Sequence, residues 1–150
     1  MTNDVRALHE VVLDLMGILN EPKRDDALIA KAGISLDRAL FPLLVRIERR
    51  GPIGIVELAD LAGRDHTTVS RQVARLESLG LVVRRPGRHD QRVREAAVTK
   101  KGRAVTDAID RARESMIGPR LARWPARDRK DLLRLLRKLV SDARDIPAGD

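Results

Sequence analysis

The sequence predicts a mainly α-helical fold with a small β-hairpin wing. Three observations predict it. Two short amphipathic helical patterns adjoin at residues 56–62 and 66–79. Two strand-like runs, Leu81–Arg85 and Arg94–Thr99, follow and are joined by an arginine-rich turn. Both ends of the chain carry helical patterns with a strongly apolar face, over residues 4–20 and 126–144. Apolar residues recurring every three or four positions specify helices, and alternation over a few residues specifies strands.

The first helix spans residues 4–20, with Asn3 or Asp4 as its cap and Val5, Leu8, Val12, Leu15, Met16 and Leu19 at helical spacing. Glu21-Pro22 stops it, because proline cannot continue the ladder. Residues 25–32 form a short helical turn ending at Gly33. Ser35 caps a helix over 36–50 that turns Leu36, Leu40, Leu43, Leu44 and Ile47 inward. Pro42 falls within that pattern and either kinks it or shifts its start. Gly51-Pro52-Ile53-Gly54 is a turn leading into the helix 56–62, which ends at Gly63-Arg64. Asp65 caps the helix from His66 to Leu79, where its carboxylate also suits the positive helix end. Gly80 terminates it. Pro86–Arg92 is the hairpin tip. A long helix runs from Lys100 towards Leu121 and is interrupted by Gly118-Pro119. Trp124-Pro125 turns the chain into the last helix, and the tail Ile146–Asp150 frays.

Composition narrows the functional classes. The 150 residues are 43% hydrophobic, yet Phe41 and Trp124 are the only aromatic ones, so the core is aliphatic. With no tyrosine, an aromatic platform for single-stranded nucleic acid is not expected. With no cysteine, disulfides, thiolate metal sites and thiol redox sensing are excluded. No apolar signal core follows Met1 and no run reaches membrane-spanning length, so a cytoplasmic location without membrane contact is expected. Residues 46–103 hold 14 Lys and Arg against 7 Asp and Glu, nearly the whole net charge of +8. A basic field focused on the helix pair and hairpin is what duplex phosphates attract.

On the helix His66–Leu79, Val69, Val73 and Leu76 share one face and should pack against Leu58, Leu61 and Leu81. The opposite face presents His66, Thr67, Thr68, Ser70, Arg71 and Arg75. These short hydrogen-bonding groups and guanidiniums are what base edges and phosphates accept. His66, Thr67, Thr68 and Arg71 are placed nearest the bases, Ser70 and Arg75 on phosphate. Arg84, Arg85, Arg88, Arg92 and Arg94 crowd the hairpin, opposed there only by Asp90 before Glu95. A tip of that charge fits the negative minor groove.

The run IVELADLAGRDHTTVSRQVARLESLGLVVRR, the DQR of the turn and the VTKKG that follows resemble the MarR (multiple antibiotic resistance regulator) family. The resemblance extends over the whole chain and is densest at residues 55–102. It implies a winged helix–turn–helix over 36–103 with N- and C-terminal dimerisation helices over 1–35 and 104–150. It implies a homodimer on a pseudo-palindromic stretch of double-stranded DNA, with recognition helices in major grooves and wing tips in minor grooves. By position, Arg92 matches the wing-tip arginine, Asp90 the acid that holds it, and Ser70 and Arg71 the polar pair of the recognition helix. Leu8, Val12, Leu15, Leu132, Leu136 and Leu139 would form the dimer interface. The resemblance further implies a repressor released by a small anionic or aromatic effector. No effector pocket is assigned from the sequence.

No catalytic constellation is visible, so an enzyme is not expected, and no cofactor is called for. His9 with Glu10 and Asp14 is the one conceivable metal cluster, and it lacks paired-histidine spacing, so no metal site is assigned. The rival reading is a sequence-tolerant architectural DNA-binding protein, which the same basic wing would serve. The ratio of specific to non-specific affinity separates the two.

Overall fold

A computed structural model describes residues 2–147 of the chain. Helix α1 spans Thr2–Leu19, α2 Pro22–Ala32 and α3 Phe41–Arg50. The two-residue strand β1, Ile53–Gly54, leads into α4, Ile55–Ala62, and α5, His66–Ser78. The hairpin strands are β2, Val82–Pro86, and β3, Arg94–Val98. Helices α6, Lys100–Leu121, and α7, Ala126–Arg144, follow. The fold is therefore mainly helical with a small antiparallel sheet, as the periodicities predict.

Several boundaries differ from the sequence reading. Asn3 and Asp4 lie inside α1 rather than capping it. Pro22 begins α2 instead of only stopping α1. In the first turn a missing N–H costs nothing, and the fixed φ already suits a helix. Gly33 closes α2 with φ of 68°. Ser35 caps nothing. Asp37 shapes the entry to α3, its Oδ1 accepting from the Ala39 N–H at 2.8 Å and its carbonyl from the Leu40 N–H at 2.9 Å. Pro42 thus sits in the first turn of α3, which starts at Phe41 and not at Leu36. Helix α6 passes through Gly118-Pro119 without a break. Of the tail expected to fray, residues 148–150 lie outside the described residues.

Strand β1 lies where the sequence predicts only a turn. It pairs with β3, giving the sheet order β1-β3-β2, with Ile53 opposite Ala96 and Gly54 opposite Glu95. A two-residue strand has no period to read, and only its partner defines it.

The chain divides into two compact units, the first running to Ala112 and the second beginning at Arg113. The core lies in the first unit. Leu43, Leu44 and Ile47 of α3 meet Leu58 of α4, Val69, Val73 and Leu76 of α5, Leu81 just before β2, and Ile53, Val82 and Ala96 of the sheet. Each fully buried Leu, Ile or Val contributes about 1.5–3 kcal/mol from burial. The inward face of α5 expected from its spacing is therefore the one observed. Two ion pairs tie α3 to α6: Glu48–Arg103 at 3.1 Å and Arg49–Asp110 at 2.8 Å.

The terminal helices contrast with this core. Among the side chains described on α1, Val12 is half-buried and the rest are exposed, including Leu8, Leu15 and Met16. No residue of α7 is buried, and Leu132, Leu136 and Leu139 lie open along it.

Candidate nucleic-acid interface

Helix α5 is set by a cap at each end. The Asp65 carboxylate accepts from the Thr68 N–H at 2.9 Å and from the Thr68 hydroxyl. Those bonds, the side-chain one first, hold the Asp65 carboxyl below its ordinary value of 3.8. A carboxylate depressed on folding stabilises fully above its unfolded pKa, and that contribution disappears as pH falls through the lower folded value. Asp65→Asn keeps an acceptor but does not titrate. Thermal melts from pH 5 to 3 should therefore show a smaller acid loss for Asp65→Asn than for wild type. Parallel losses would remove Asp65 from the acid response.

At the other end, Leu79 and Gly80 hand the chain to the sheet. Lys101 Nζ donates to the Leu79 carbonyl at 3.0 Å. Thr99 Oγ1 donates to the Gly80 carbonyl at 2.6 Å and accepts from the Gly102 N–H at 3.0 Å. The VTKKG run is thus the seat on which α6 begins. Upstream, Arg64 Nη1 donates to Gln72 Oε1 at 3.0 Å and to the Ala39 carbonyl at 3.3 Å, fixing α5 to the segment before α3.

This anchoring leaves His66, Thr67, Arg71 and Arg75 exposed along α5, with Ser70 and Thr68 half-buried. The Thr68 hydroxyl is occupied by the cap. His66 Nε2 lies 3.5 Å from Asp60 Oδ1.

The wing turn is built around Gly87, whose N–H donates to the Val93 carbonyl at 2.6 Å. A Cβ there would stand 2.4 Å from the Asp90 carbonyl oxygen, so only glycine fits. Asp90 Oδ1 accepts from the Arg92 N–H at 3.0 Å and from its Nε at 3.2 Å. The backbone bond, then the side-chain bond, lowers the Asp90 pKa. The Arg92 side chain is 91% exposed, so its guanidinium is aimed by Asp90 yet open to solvent.

The other wing arginines differ. Arg88 turns back on the sheet. Its Nη2 donates to the Pro52 carbonyl at 3.3 Å, its N–H to Glu95 Oε1 at 3.3 Å, and its Nε lies 3.6 Å from Glu95 Oε2. Glu95 is only 13% exposed. Arg84 points to α5, its Nη2 donating to the Ser70 carbonyl at 3.1 Å. The sequence placed all five arginines in one basic cluster. Their partners lie up to 36 residues away, and no local pattern signals them.

Beside α5 a cavity of about 790 Å³ opens. Ile29, Leu36, Leu40 and Leu79 give it apolar walls, and Asp37, Arg71, Gln72 and Arg75 line it as well. Among the described residues no three His, Asp or Glu side chains gather to hold a metal. No helix there is long and apolar enough to cross a membrane.

The sequence model of the MarR family matches residues 36–93. The uncharacterized HTH-type transcriptional regulator YxaD of Bacillus subtilis is 30% identical over 105 residues, 70% of this chain and 73% of its own length. The chain belongs to the MarR family. It is a DNA-binding transcriptional regulator of the winged helix–turn–helix type, and its relatives are regulators and not enzymes. Solved structures share the fold. A MarR transcriptional regulator from Methanosarcina mazei is 20% identical with a TM-score of 0.73, over 95% of this chain and 99% of that one. The RV1404 protein of Mycobacterium tuberculosis is 26% identical with a TM-score of 0.68, over 97% of both chains.

Proposed function

We infer that the chain is a homodimeric, sequence-specific repressor that binds a pseudo-palindromic operator and leaves it when a small organic anion binds. The observation supporting this best is the uncovered polar face of α5 beside a hairpin whose tip holds the Arg92 guanidinium out in solvent. In this reading α5 enters the major groove. His66, Thr67 and Arg71 meet base edges, and Thr68, its hydroxyl held by Asp65, offers only its methyl group. Ser70 and Arg75 meet phosphate, and Arg92 enters the flanking minor groove. Asp90 and Arg88 hold the wing in shape for it. Leu8, Val12 and Leu15 of α1 and Leu132, Leu136 and Leu139 of α7 cover one another's counterparts in a second copy. The role needs no catalysis and belongs where the DNA is, in the cytoplasm.

The cavity beside α5 supports the release step. Its volume is in the range of small-molecule sites, about 300–1,000 Å³, and it joins an apolar wall to the charged and polar side chains of Asp37, Arg71, Gln72 and Arg75. Arg71 and Arg75 line it and also belong to the DNA-facing set. A carboxylate bound there would neutralise charge that the operator needs, so ligand and DNA would exclude one another.

Fluorescence anisotropy on DNA from the chain's own upstream region and on scrambled DNA tests this. A preference of about a thousandfold or more is expected for the native DNA, with two protomers per site. Equal affinity for both, falling steeply with salt, would favour the architectural binder. Arg92→Ala should weaken operator binding about tenfold and make its salt dependence shallower. An Arg92→Ala protein that binds and salt-titrates as wild type does would remove the wing from the reading. Aromatic carboxylates should displace the operator from wild type. If Arg71→Ala retains residual binding, they should displace it less well from that variant.

A further inference from the structure

Arg84 is the one wing arginine whose guanidinium reaches α5. Its Nη2 donates to the Ser70 carbonyl at 3.1 Å, and its backbone N–H donates to Glu77 Oε2 at 3.2 Å. Ser70 and Glu77 stand seven residues apart on α5, which is two turns on the same face. One residue of β2 therefore grips the helix at two points, one on the backbone of Ser70 and one on the side chain of Glu77, whose backbone positions are about 10 Å apart along the axis. Leu81 and Val82 already pack the root of the hairpin on α5. Arg84 adds two attachments further out along β2, which limit bending of the hairpin arm against the helix.

Stability alone does not account for this arginine. Its Nε is enclosed and has no hydrogen-bond acceptor among the described residues. Charges withdrawn from water with incomplete partners often cost as much as they return. Apolar side chains of similar length commonly replace them without loss. What a methionine could not supply is the two-point geometry.

We propose that Arg84 is a positioning residue that locks the wing to the recognition helix, so that both approach the duplex at one fixed angle. It touches no DNA and acts through Ser70 and the hairpin. This rests on the DNA-reading role inferred for α5 and the wing. A locked pair rewards a duplex whose bases and minor groove fall at the matching spacing, and a loose pair accepts many. Arg84 would therefore set discrimination more than raw affinity.

The test uses Arg84→Met in the full chain, read by anisotropy on native upstream DNA and on scrambled DNA over a range of salt. Operator affinity should fall about tenfold while scrambled-DNA affinity and its salt slope stay as in wild type. The melting temperature should be unchanged or higher. An equal loss on both DNAs with a shallower slope would make Arg84 an ordinary phosphate contact and overturn the proposal.

A second readout needs no DNA. The chain has no cysteine, so spin labels at Ala74→Cys on α5 and Gln91→Cys at the tip report one distance, once labelled chains are diluted with unlabelled ones. That distance distribution should be narrow in the parent and broad with Arg84→Met. An unbroadened distribution overturns the lock whatever the DNA results. A broadened one beside a wild type that cannot tell the two DNAs apart would keep the lock and sink the specific-regulator reading instead.

Discussion

Gly102→Ala is expected to destabilise the fold by about 2–3 kcal/mol. For a chain of this size that lowers Tm by roughly 5–10 °C. A Cβ at position 102 would sit 2.0 Å from the Leu81 carbonyl oxygen and 2.8 Å from Val98 Cγ2. The first is backbone and cannot rotate away. Relief therefore requires the start of α6 to move off the junction of α5 and β2, breaking the bonds that Thr99 and Lys101 make to Gly80 and Leu79. Gly33→Ala is the comparison. Gly33 has φ of 68° but nothing within 4 Å of its missing Cβ, so alanine there adds only the backbone cost of about 1–2 kcal/mol. Thermal melts should rank the two, with Gly102→Ala the worse. Equal melts would mean that α6 seats itself without close contact. Operator affinity should fall with stability in Gly102→Ala, since the same junction carries the hairpin.

The elements that were legible in the sequence are those whose signal is local. Val69, Val73 and Leu76 mark the buried face of α5 by spacing alone, and Asp65 and Gly80 mark its ends because a cap is a matter of neighbouring residues. The pairing of Asp90 with Arg92 is expected from the resemblance of the DQR turn to the family's wing. The misplaced boundaries come from proline, whose two effects have opposite meaning. Pro22 looked like a break and Pro42 like a kink or a shifted start; each stands in the first turn of a helix, where its missing N–H is free, and for Pro42 the shifted start is the alternative observed. Pro119 lies inside α6, which runs on past it. Strand β1 exists only through β3, more than 40 residues on.

Charge proved the least legible property of the candidate site. Composition counts guanidiniums but does not aim them. Arg84 bonds to α5, Arg88 to Pro52 and Glu95, and Arg92 to Asp90, and only the last pairing lies within a motif that carries the resemblance. The cavity beside α5 was invisible for the same reason. It is assembled from residues 29–40 and 71–79, and neither stretch contains a binding motif.

The proposed dimer carries the other large expectation. Leu136→Asp should convert the protein to monomers in light scattering and weaken operator binding by a factor on the order of 10²–10⁴. A dimer holds its second recognition helix at high effective concentration once the first is bound, and a monomer loses that advantage outright. Leu136 is 41% exposed within the chain, so aspartate there removes little of the protomer's own packing. Nearby Leu132, Leu135 and Leu139 extend the same open apolar run along α7. Monomeric proteins seldom leave contiguous apolar surface of that kind to water, whereas a two-fold interface requires it. Circular dichroism should therefore show an intact helical fold in a chain that no longer self-associates. A Leu136→Asp protein that stays dimeric with full affinity would move the interface off this face of α7. One that becomes monomeric yet binds as before would show that a single recognition helix and wing carry the affinity. The operator would then need no two-fold symmetry.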